Sequence, residues 1–148
     1  MIRNITRADK TIFLEMAEKF YSSEAVAHSI DRRIIEATFD AAASKSPFIR
    51  AFIIEDNAIP VGFGLVSSSF ATEVGGQSVL LEDLYLDETC RGKGLGSKFM
   101  QFIEQEYPYA KRFRLEVAKD NTRAIDLYRK LGYEVLEYVQ MVKDKQPE

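Results

Sequence analysis

Residues 90–96 are the first part of the chain whose composition suggests chemistry. They read CRGKGLG and lie between an apolar run, VLLEDLYL, and an amphipathic run, SKFMQFIEQEY. The N-terminus of a helix presents unpaired N–H groups and the positive end of the helix dipole, so it binds phosphate where no side chain blocks the approach. Arg91 and Lys93 add positive charge to the same stretch. The pattern predicts a strand-to-helix loop that binds a pyrophosphate, with an ordinary surface turn as the alternative.

Two familiar phosphate-binding loops do not fit this stretch. A P-loop requires G-x-x-x-x-G-K-S/T, a spacing that the chain does not contain. The dinucleotide-binding pattern G-x-G-x-x-G would require a glycine at position 97, which is Ser97. What remains is R-x-x-G-x-G, formed by Arg91, Gly94 and Gly96, and this short pattern needs support from the rest of the chain.

The composition narrows the classes of protein to which the chain can belong. Its 148 residues suit one domain, and 46% hydrophobic with 29% charged residues is typical of a soluble globular protein. No run approaches the roughly 18 apolar residues of a membrane helix, and the first residues do not resemble a signal peptide. We therefore expect a cytoplasmic protein that forms a single domain over residues 1–148 and does not bind a membrane.

Charge and cysteine content argue against two further classes. The net charge of −3 and the pI near 5.3 argue against general affinity for nucleic acid. Cys90 and His28 are the only cysteine and histidine, so we expect no metal bound by these residue types and no internal disulfide. Residues 87–132 nevertheless contain 10 Lys/Arg and 7 Asp/Glu, which places a basic surplus around the glycines.

Periodicity predicts ten secondary-structure elements. Strand patterns begin with IRNI, recur in a hairpin over residues 48–68, and continue in VLLEDLYLD, RFRLEV and YEVLEYVQMV. Helical patterns cover residues 9–22, residues 31–43, the run from Leu95 to Tyr107, and TRAIDLYRKLG, where Gly132 suits a C-terminal cap. The order β, α, α, β, β, β, α, β, α, β indicates a mixed sheet, antiparallel at first and with a βαβ crossover near the end.

Residues downstream of the loop give it a wider context. The segments VLLEDLYLDETCRGKGLGSKFM and RLEVAKDNTRAIDLYRKLGYEV together resemble the acetyl-CoA-binding core of the GNAT superfamily of acyl-CoA-dependent N-acyltransferases. The family's loop, Q/R-x-x-G-x-G/A, matches Arg91, Gly94 and Gly96, and its asparagine and later tyrosine match Asn121 and Tyr128. The LGY sequence that closes the helix is also present. The resemblance covers residues 79–135. It implies an α/β (α+β) fold with a mixed, mostly antiparallel sheet of six to seven strands, about four helices on both faces, and a splayed pair of parallel strands.

The resemblance implies acetyl-CoA as the co-substrate and no metal. Main-chain N–H groups of the loop would bind its pyrophosphate, and its pantetheine arm would pair like an extra strand with Leu84, Tyr85 and Leu86. A main-chain N–H near Leu84 would also stabilise the thioester carbonyl as charge develops on its oxygen. The residues expected to contact the cofactor in the loop and the later motif are Arg91, Gly92, Lys93, Gly94, Leu95, Gly96, Ser97, Asn121 and Tyr128.

The family assigns the general acid to the position of Tyr128. A phenol with a pKa near ~10 is protonated at neutral pH and can protonate a thiolate whose conjugate acid has a pKa near ~8.5. The alternative is that Tyr128 is a core aromatic on its helical stripe. Asn121 likewise has an alternative role as the N-cap of the helix, and the two roles are compatible.

Glu82 and Asp83 are the candidates for the group that deprotonates the acceptor amine. Residues that alternate on a strand point to opposite faces, so we expect at most one of them to face the acceptor. Glu82 would share a face with Leu80, Leu84 and Leu86, and burial there would raise its pKa and suit it to a base role. The alternatives are Asp83, a chain of water molecules, or simple ion pairs with neighbouring Lys and Arg.

The acceptor is less well defined than the cofactor. Residues 20–33, residues 67–77 and the C-terminal tail correspond to the parts of the family that select it. Residues 1–86 carry an acidic excess, which favours a cationic acceptor such as a polyamine, an aminoglycoside, a Lys side chain or a peptide N-terminus. We expect a small-molecule amine or a peptide amine as partner, and edge strands that would permit a homodimer. An acyl-CoA-binding regulator without catalysis is the alternative from a different class.

Overall fold

The computed structural model describes residues 1–24, 26 and 28–145. It contains two compact units, Met1–Ala118 and Lys119–Glu148. The described residues form five strands and four α-helices: β1 (Ile2–Asn4), α1 (Lys10–Tyr21), α2 (Arg32–Ala43), β2 (Ile49–Asp56), β3 (Ile59–Ala71), β4 (Gly76–Leu86), α3 (Leu95–Glu106), β5 (Arg112–Leu115) and α4 (Thr122–Lys130). None of the helices in these ranges has the length and apolar character needed to cross a membrane.

The five strands form one mixed sheet in the first unit. Its order is β1-β2-β3-β4-β5, with antiparallel pairing from β1 to β4 and parallel pairing between β4 and β5. The β2–β3 turn has left-handed backbone at Asn57 (φ 51°) and Ala58 (φ 64°), which matches the right-handed twist of the strands that it joins. The predicted hairpin and the predicted parallel pair near the end are therefore confirmed.

Helices cover both faces of this sheet. On one face α1 and α2 bury an apolar cluster against β2, β3 and β4, in which Phe63 packs against Phe13 with ring centroids 5.0 Å apart. On the other face α3 places Phe99 6.1 Å and Phe102 5.2 Å from the Phe52 ring. We refer to these below as the α1 face and the α3 face.

The helix starts follow the predicted signals. The Asp31 side chain accepts a hydrogen bond from the Arg33 main-chain N–H at 2.8 Å, so it caps α2 as expected. The buried Asp9 precedes α1 and binds the Arg3 guanidinium through both carboxylate oxygens, each at 2.9 Å. This bidentate pair ties the start of α1 to β1, and the guanidinium lowers the pKa of the Asp9 carboxyl.

The predicted number of strands was wrong. The sheet has five strands instead of six to seven, because residues 133–142 (YEVLEYVQMV) do not form the expected last strand. Their apolar side chains are mostly exposed; Val139 and Met141 are each 91% exposed. Alternating apolar residues indicate strand propensity, but a strand also needs a neighbouring strand to pair with, and this segment pairs with none of the five strands that the described residues form. Residues 25, 27 and 146–148, which belong to the segments expected to select the acceptor, lie outside the described residues.

Gly64 makes the close packing of α3 on the sheet possible. A Cβ atom at this position would lie 2.0 Å from the Cζ atom of Phe99, whose ring is fully buried. We predict that Gly64→Ala lowers the free energy of unfolding by about 1–3 kcal/mol or more, because the ring and strand must move apart. Urea unfolding would measure the change. Ser69→Ala, at an exposed position of the same strand, should stay within about 0.5 kcal/mol of the parent, and equal stability of both variants would contradict this packing.

Candidate active site

The sheet has an open edge where β4 extends beyond β5. The parallel pairing runs from Ser78–Arg112 to Leu81–Leu115 and ends there, whereas β4 continues to Leu86 and remains paired with β3. Over residues 82–86 the side of β4 opposite β3 therefore has no strand partner among the described residues. Main-chain N–H and C=O groups on such an edge require hydrogen-bond partners, and an extended chain of amides can supply them.

The register shows which main-chain groups face this open edge. The Asp87 N–H donates to the Val61 carbonyl at 2.8 Å, which makes the neighbouring Leu86–Gly62 pair a non-hydrogen-bonded pair of the antiparallel ladder. The same alternation applies to Leu84 and its partner Gly64. The N–H and C=O groups of Leu84 and Leu86 therefore point away from β3, while those of Tyr85 point toward it.

The glycine-rich loop lies beside this edge. It leads from a short 3-10 turn at Glu88–Cys90 into α3, whose N-cap is Gly94 and whose first intrahelical bond joins the Lys98 N–H to the Gly94 carbonyl at 3.0 Å. Helix geometry leaves the N–H groups of Leu95, Gly96 and Ser97 without intrahelical acceptors, and the N-cap residue Gly94 has no side chain with which to cap them. A Cβ atom on Gly96 would touch the side chains of Leu84 and Leu86 at 3.9 Å, so the helix start and the open edge are neighbours on the α3 face.

The glycines of the loop are needed for different reasons. Gly92 and Gly94 both have φ of 80°, in the left-handed region that glycine adopts without strain, whereas Gly96 lies within the first turn of α3 and has room for a Cβ atom at ordinary contact distance. The two left-handed residues turn the chain from β4 into α3. The bare backbone at Gly96 instead leaves the first turn of the helix accessible from outside.

Two basic side chains of the loop contact the neighbouring strands. Arg91 donates from Nε to the Leu86 carbonyl at 3.0 Å, which anchors a guanidinium at the open edge. Lys93 Nζ lies 3.7 Å from Oδ2 of Asp56, the last residue of β2, an exposed pair of the kind that contributes little to stability. Cys90 is buried immediately before the loop. The loop thus combines free helical N–H groups with exposed positive charge, an arrangement that fits a phosphate group.

A β-bulge changes the directions of the two carboxylates on β4. Leu65 pairs with Asp83 and Val66 with Leu81, so Glu82 is the extra residue of the bulge. The Glu82 carboxylate accepts a hydrogen bond at 2.7 Å from the Ser67 hydroxyl, and Ser67 shares the α1 face with Leu65. The expectation that Glu82 and Asp83 point to opposite faces was therefore wrong, because strict alternation fails at a bulge.

Glu82 and Asp83 differ in their surroundings. Glu82 is exposed, so the predicted burial of its side chain was also wrong, whereas Asp83 is half-buried. The Tyr21 hydroxyl, at the end of α1, donates a hydrogen bond to Asp83 Oδ2. Burial raises the pKa of the Asp83 carboxyl; the hydrogen bond from Tyr21 opposes this rise, and the charge of Glu82 adds to it. The Tyr21 phenol has a raised pKa through burial and the Asp83 charge, so it stays a proton donor at neutral pH.

Tyr85 completes the α1 face of β4. Its ring stacks on Phe63 at 5.7 Å and meets Phe20 of α1 edge-on at 6.3 Å. Burial and a 2.7 Å hydrogen bond to Asp87 Oδ1 raise the pKa of Tyr85 to about 12. The Tyr85 side chain is therefore a fixed part of the core. Tyr85 lies between the outward-facing residues Leu84 and Leu86, but its own main-chain groups point toward β3.

The remaining predicted site residues lie in the second unit. Asn121 is the N-cap of α4, where its Oδ1 accepts a hydrogen bond from the Ala124 N–H at 3.3 Å, so the predicted capping role is confirmed. Tyr128 is half-buried on the same helix, and burial raises the pKa of its phenol above the ordinary value for tyrosine. Its hydroxyl keeps its proton through the neutral pH range.

The LGY sequence ends α4 and fixes the Tyr128 ring. Gly132 (φ 95°) donates its N–H to the Arg129 carbonyl, and Tyr133 donates to the Tyr128 carbonyl, both at 3.0 Å. These are the two bonds of a Schellman motif, which is often accompanied by an apolar contact across the turn. Here the contact joins the rings of Tyr128 and Tyr133, with centroids 5.9 Å apart. The predicted C-terminal cap at Gly132 is confirmed, and it also orients Tyr128.

Comparison with known proteins identifies the family. The model of the Acetyltransferase (GNAT) family matches residues 11–133, so the chain belongs to the GNAT family and is an acetyl-CoA-dependent acyltransferase. The chain is 29% identical over 143 residues to a thialysine N-epsilon-acetyltransferase of Bos taurus, an alignment that covers 89% of this chain and 82% of that protein.

Solved structures show the same fold at lower sequence identity. A possible acetyltransferase from Clostridium difficile 630 superposes with a TM-score of 0.83 at 15% identity, covering 99% of this chain and 98% of the other. AAC(6')-Iy, solved in complex with the bisubstrate analog CoA-S-monomethyl-acetylneamine, superposes with a TM-score of 0.80 at 13% identity, with the same coverages of 99% and 98%. These likenesses support the mixed α/β fold with a parallel pair at its end.

Sequence reasoning did not find Tyr21. Its residue type and its place at the end of a helical stripe are equally typical of a core aromatic, and its partner Asp83 is 62 residues away. Only the packing of α1 against β4 brings the two together. A local signal for this pair is absent from the sequence, because the bulge at Glu82 cannot be read from an alternating pattern.

Gly96 allows the loop and the fold to be tested separately. We predict that Gly96→Ala keeps or slightly raises stability, since a Cβ atom there meets only ordinary contacts and alanine favours a helix. The same methyl group would project toward Leu84 and Leu86, into the space between the start of α3 and the open edge, and we expect the dissociation constant for CoA to rise about tenfold or more. Calorimetric titration with CoA and urea unfolding would measure both quantities. Gln101→Ala, exposed on the same helix, is the control, and unchanged CoA binding by Gly96→Ala would contradict the assignment.

Proposed function

We propose that the chain acts over residues 1–148 as a single N-acetyltransferase domain that moves the acetyl group of acetyl-CoA directly to a primary amine. The open edge of β4 beside the glycine loop carries this proposal, because it pairs a phosphate-type site with two outward-facing main-chain positions, Leu84 and Leu86. The loop N–H groups and Arg91 would hold the pyrophosphate. The amides of the pantetheine arm would pair with the edge of β4, as family membership suggests.

The proposed chemistry requires one proton acceptor and one proton donor. The acceptor ammonium first loses a proton to a base, which we assign to Glu82 or to a water chain that it orders; the exposure of Glu82 suits exchange with water. The amine nitrogen then forms a C–N bond with the acetyl carbonyl carbon, and the C–S bond breaks. Tyr128 donates its proton to the leaving thiolate, and the resulting tyrosinate recovers a proton from the new amide nitrogen. The net products are the acetylated amine, CoA with a free thiol, and one proton.

A small cationic amine is the acceptor that the observations favour. Residues 1–86 carry an acidic excess, and Glu82 and Asp83 both lie on the α1 face of β4. The relative from Bos taurus is named for acetylation of an amine of thialysine. A protein Lys side chain or an N-terminus presents the same ammonium group and is the alternative acceptor.

Tyr128→Phe tests the proposed general acid. We predict that kcat falls by about a hundredfold or more while the affinity for acetyl-CoA changes by less than about threefold, because the ring is kept and only the proton donor is lost. Release of the CoA thiol and equilibrium binding of acetyl-CoA would measure the two effects. Tyr109→Phe, at an 88% exposed tyrosine, is the matched control. Equal rates for Tyr128→Phe and the parent would rule out Tyr128 as the acid.

A panel of amines tests the reaction and its acceptor class. L-thialysine, 1,4-diaminobutane, spermidine, a Lys-containing peptide and a peptide with a free N-terminus would each be supplied with acetyl-CoA, with thiol release as the readout. We expect the highest kcat/KM among the small diamines and thialysine. Acetylation of the peptides alone would favour the protein acceptor. Tight acetyl-CoA binding without turnover of any amine would favour a catalytically silent acyl-CoA-binding regulator.

A further inference from the structure

The two faces of β4 at its open edge have different chemistry. Leu84 and Leu86 contact the position of Gly96 on the α3 face, where the glycine loop begins the helix. Asp83 and Tyr85 face α1, as their contacts with Tyr21 and Phe20 show. A group bound through the loop would therefore approach the edge from the α3 face, and a second reactant that approaches from the α1 face would meet the Asp83 carboxylate.

We propose that Asp83 is the carboxylate that binds the ammonium group of the acceptor and accepts its proton, and that Tyr21 is a positioning residue that holds this carboxylate at the open edge. The proposal rests on the function proposed above. It replaces Glu82 in the direct base role and leaves Glu82 as the exposed neighbour through which the proton can pass to water. The step is balanced: the acceptor N–H bond breaks, an O–H bond forms on Asp83, and a neutral amine remains to attack the thioester.

Asp83 has the position that this role requires. It directly precedes Leu84, whose outward N–H is the expected contact of the thioester carbonyl, and one residue along a strand spans about 3.4 Å. The Tyr21 hydroxyl occupies Oδ2 only. A carboxylate offers two oxygens with about four lone-pair sites, so the Asp83 carboxylate can accept further hydrogen bonds from an ammonium group.

The electrostatic surroundings of Asp83 make the proposal testable by pH. Two groups act on its ionisation, Tyr21 from α1 and Glu82 from β4 itself, while the residue opposite it on β3 is the apolar Leu65. The Tyr21 hydroxyl donates to the carboxylate and so favours the charged form. The Glu82 carboxylate repels that charge and favours the neutral form. Removal of each group should therefore move the pKa of Asp83 in opposite directions.

The experiment measures kcat/KM for 1,4-diaminobutane as a function of pH, with saturating acetyl-CoA. The fall of kcat/KM toward low pH is called the acid limb, and its midpoint reports the pKa of the group that must be ionised. Asp83 must be ionised to bind the ammonium, so activity is lost as the pH falls through its pKa. We expect Tyr21→Phe to move the limb upward by roughly one pH unit, which lowers kcat/KM about tenfold below the limb and leaves the high-pH plateau nearly unchanged. We expect Glu82→Gln to move the limb downward, and Asp83→Asn to remove it together with most of the activity.

Controls separate this role from a structural one. A purely structural effect of Tyr21→Phe would lower kcat/KM by the same factor at every pH. Tyr107→Phe, which removes a phenol at the end of α3, should leave the limb where it is in the parent. The proposal would be overturned in favour of Glu82 if the Glu82→Gln variant lost the acid limb while the Asp83→Asn variant kept it at a shifted pH. An unmoved limb in Tyr21→Phe would also overturn it.

A second readout keeps the inference separate from the proposed function. The carboxyl carbon of Asp83 can be followed by NMR while 1,4-diaminobutane is added to the CoA-bound protein. A shift at Asp83 that is weakened in Tyr21→Phe would support ammonium binding even if no amine were acetylated, in which case the proposed function alone would fail. No response of the Asp83 carboxyl to the diamine would overturn the inference, whatever the activity.

Discussion

The early end of the β4–β5 pairing is the constraint on which the site depends. Parallel strands that stayed paired to the end of β4 would use the outward N–H and C=O groups of Leu84 and Leu86 within the sheet. Because pairing stops at Leu81, these groups remain directed at an open edge while β3 still holds the strand from its other side. This is the edge with which the proposed cofactor arm would pair.

Different chemical groups lie beside this edge on the two faces of the sheet. On the α3 face, two left-handed glycines bring the chain into a helix start with unpaired N–H groups, and Arg91 binds the Leu86 carbonyl at the edge itself. On the α1 face, a bulge directs Glu82 and Asp83 toward α1, and Tyr21 binds Asp83. Unpaired helical N–H groups and basic side chains thus lie on one face of the strand and acidic groups on the other, which is the separation that the proposed transfer from an anionic cofactor to a cationic amine would need.

Much of this arrangement could be predicted from the sequence because its signals are local. Asp31 and Asn121 as caps and the closing turn at Gly132 each depend on a few adjacent residues, and all of them are confirmed. The failures concern interactions between distant parts of the chain. The bulge at Glu82 is set by pairing with β3, and the Tyr21–Asp83 contact by packing of a helix on the sheet. The predicted last strand is absent because residues 133–142 do not join the sheet that the described residues form.

Amide hydrogen exchange in the presence of CoA tests the role of the open edge most directly. We expect CoA to slow exchange at the N–H groups of Leu84 and Leu86, which point outward, and to change exchange little at Asp83 and Tyr85, whose N–H groups already bind β3. The Gly96 and Ser97 amides at the start of α3 should be slowed as well. Protection at the helix start without any protection at Leu84 and Leu86 would contradict the claim that the edge of β4 binds the cofactor arm.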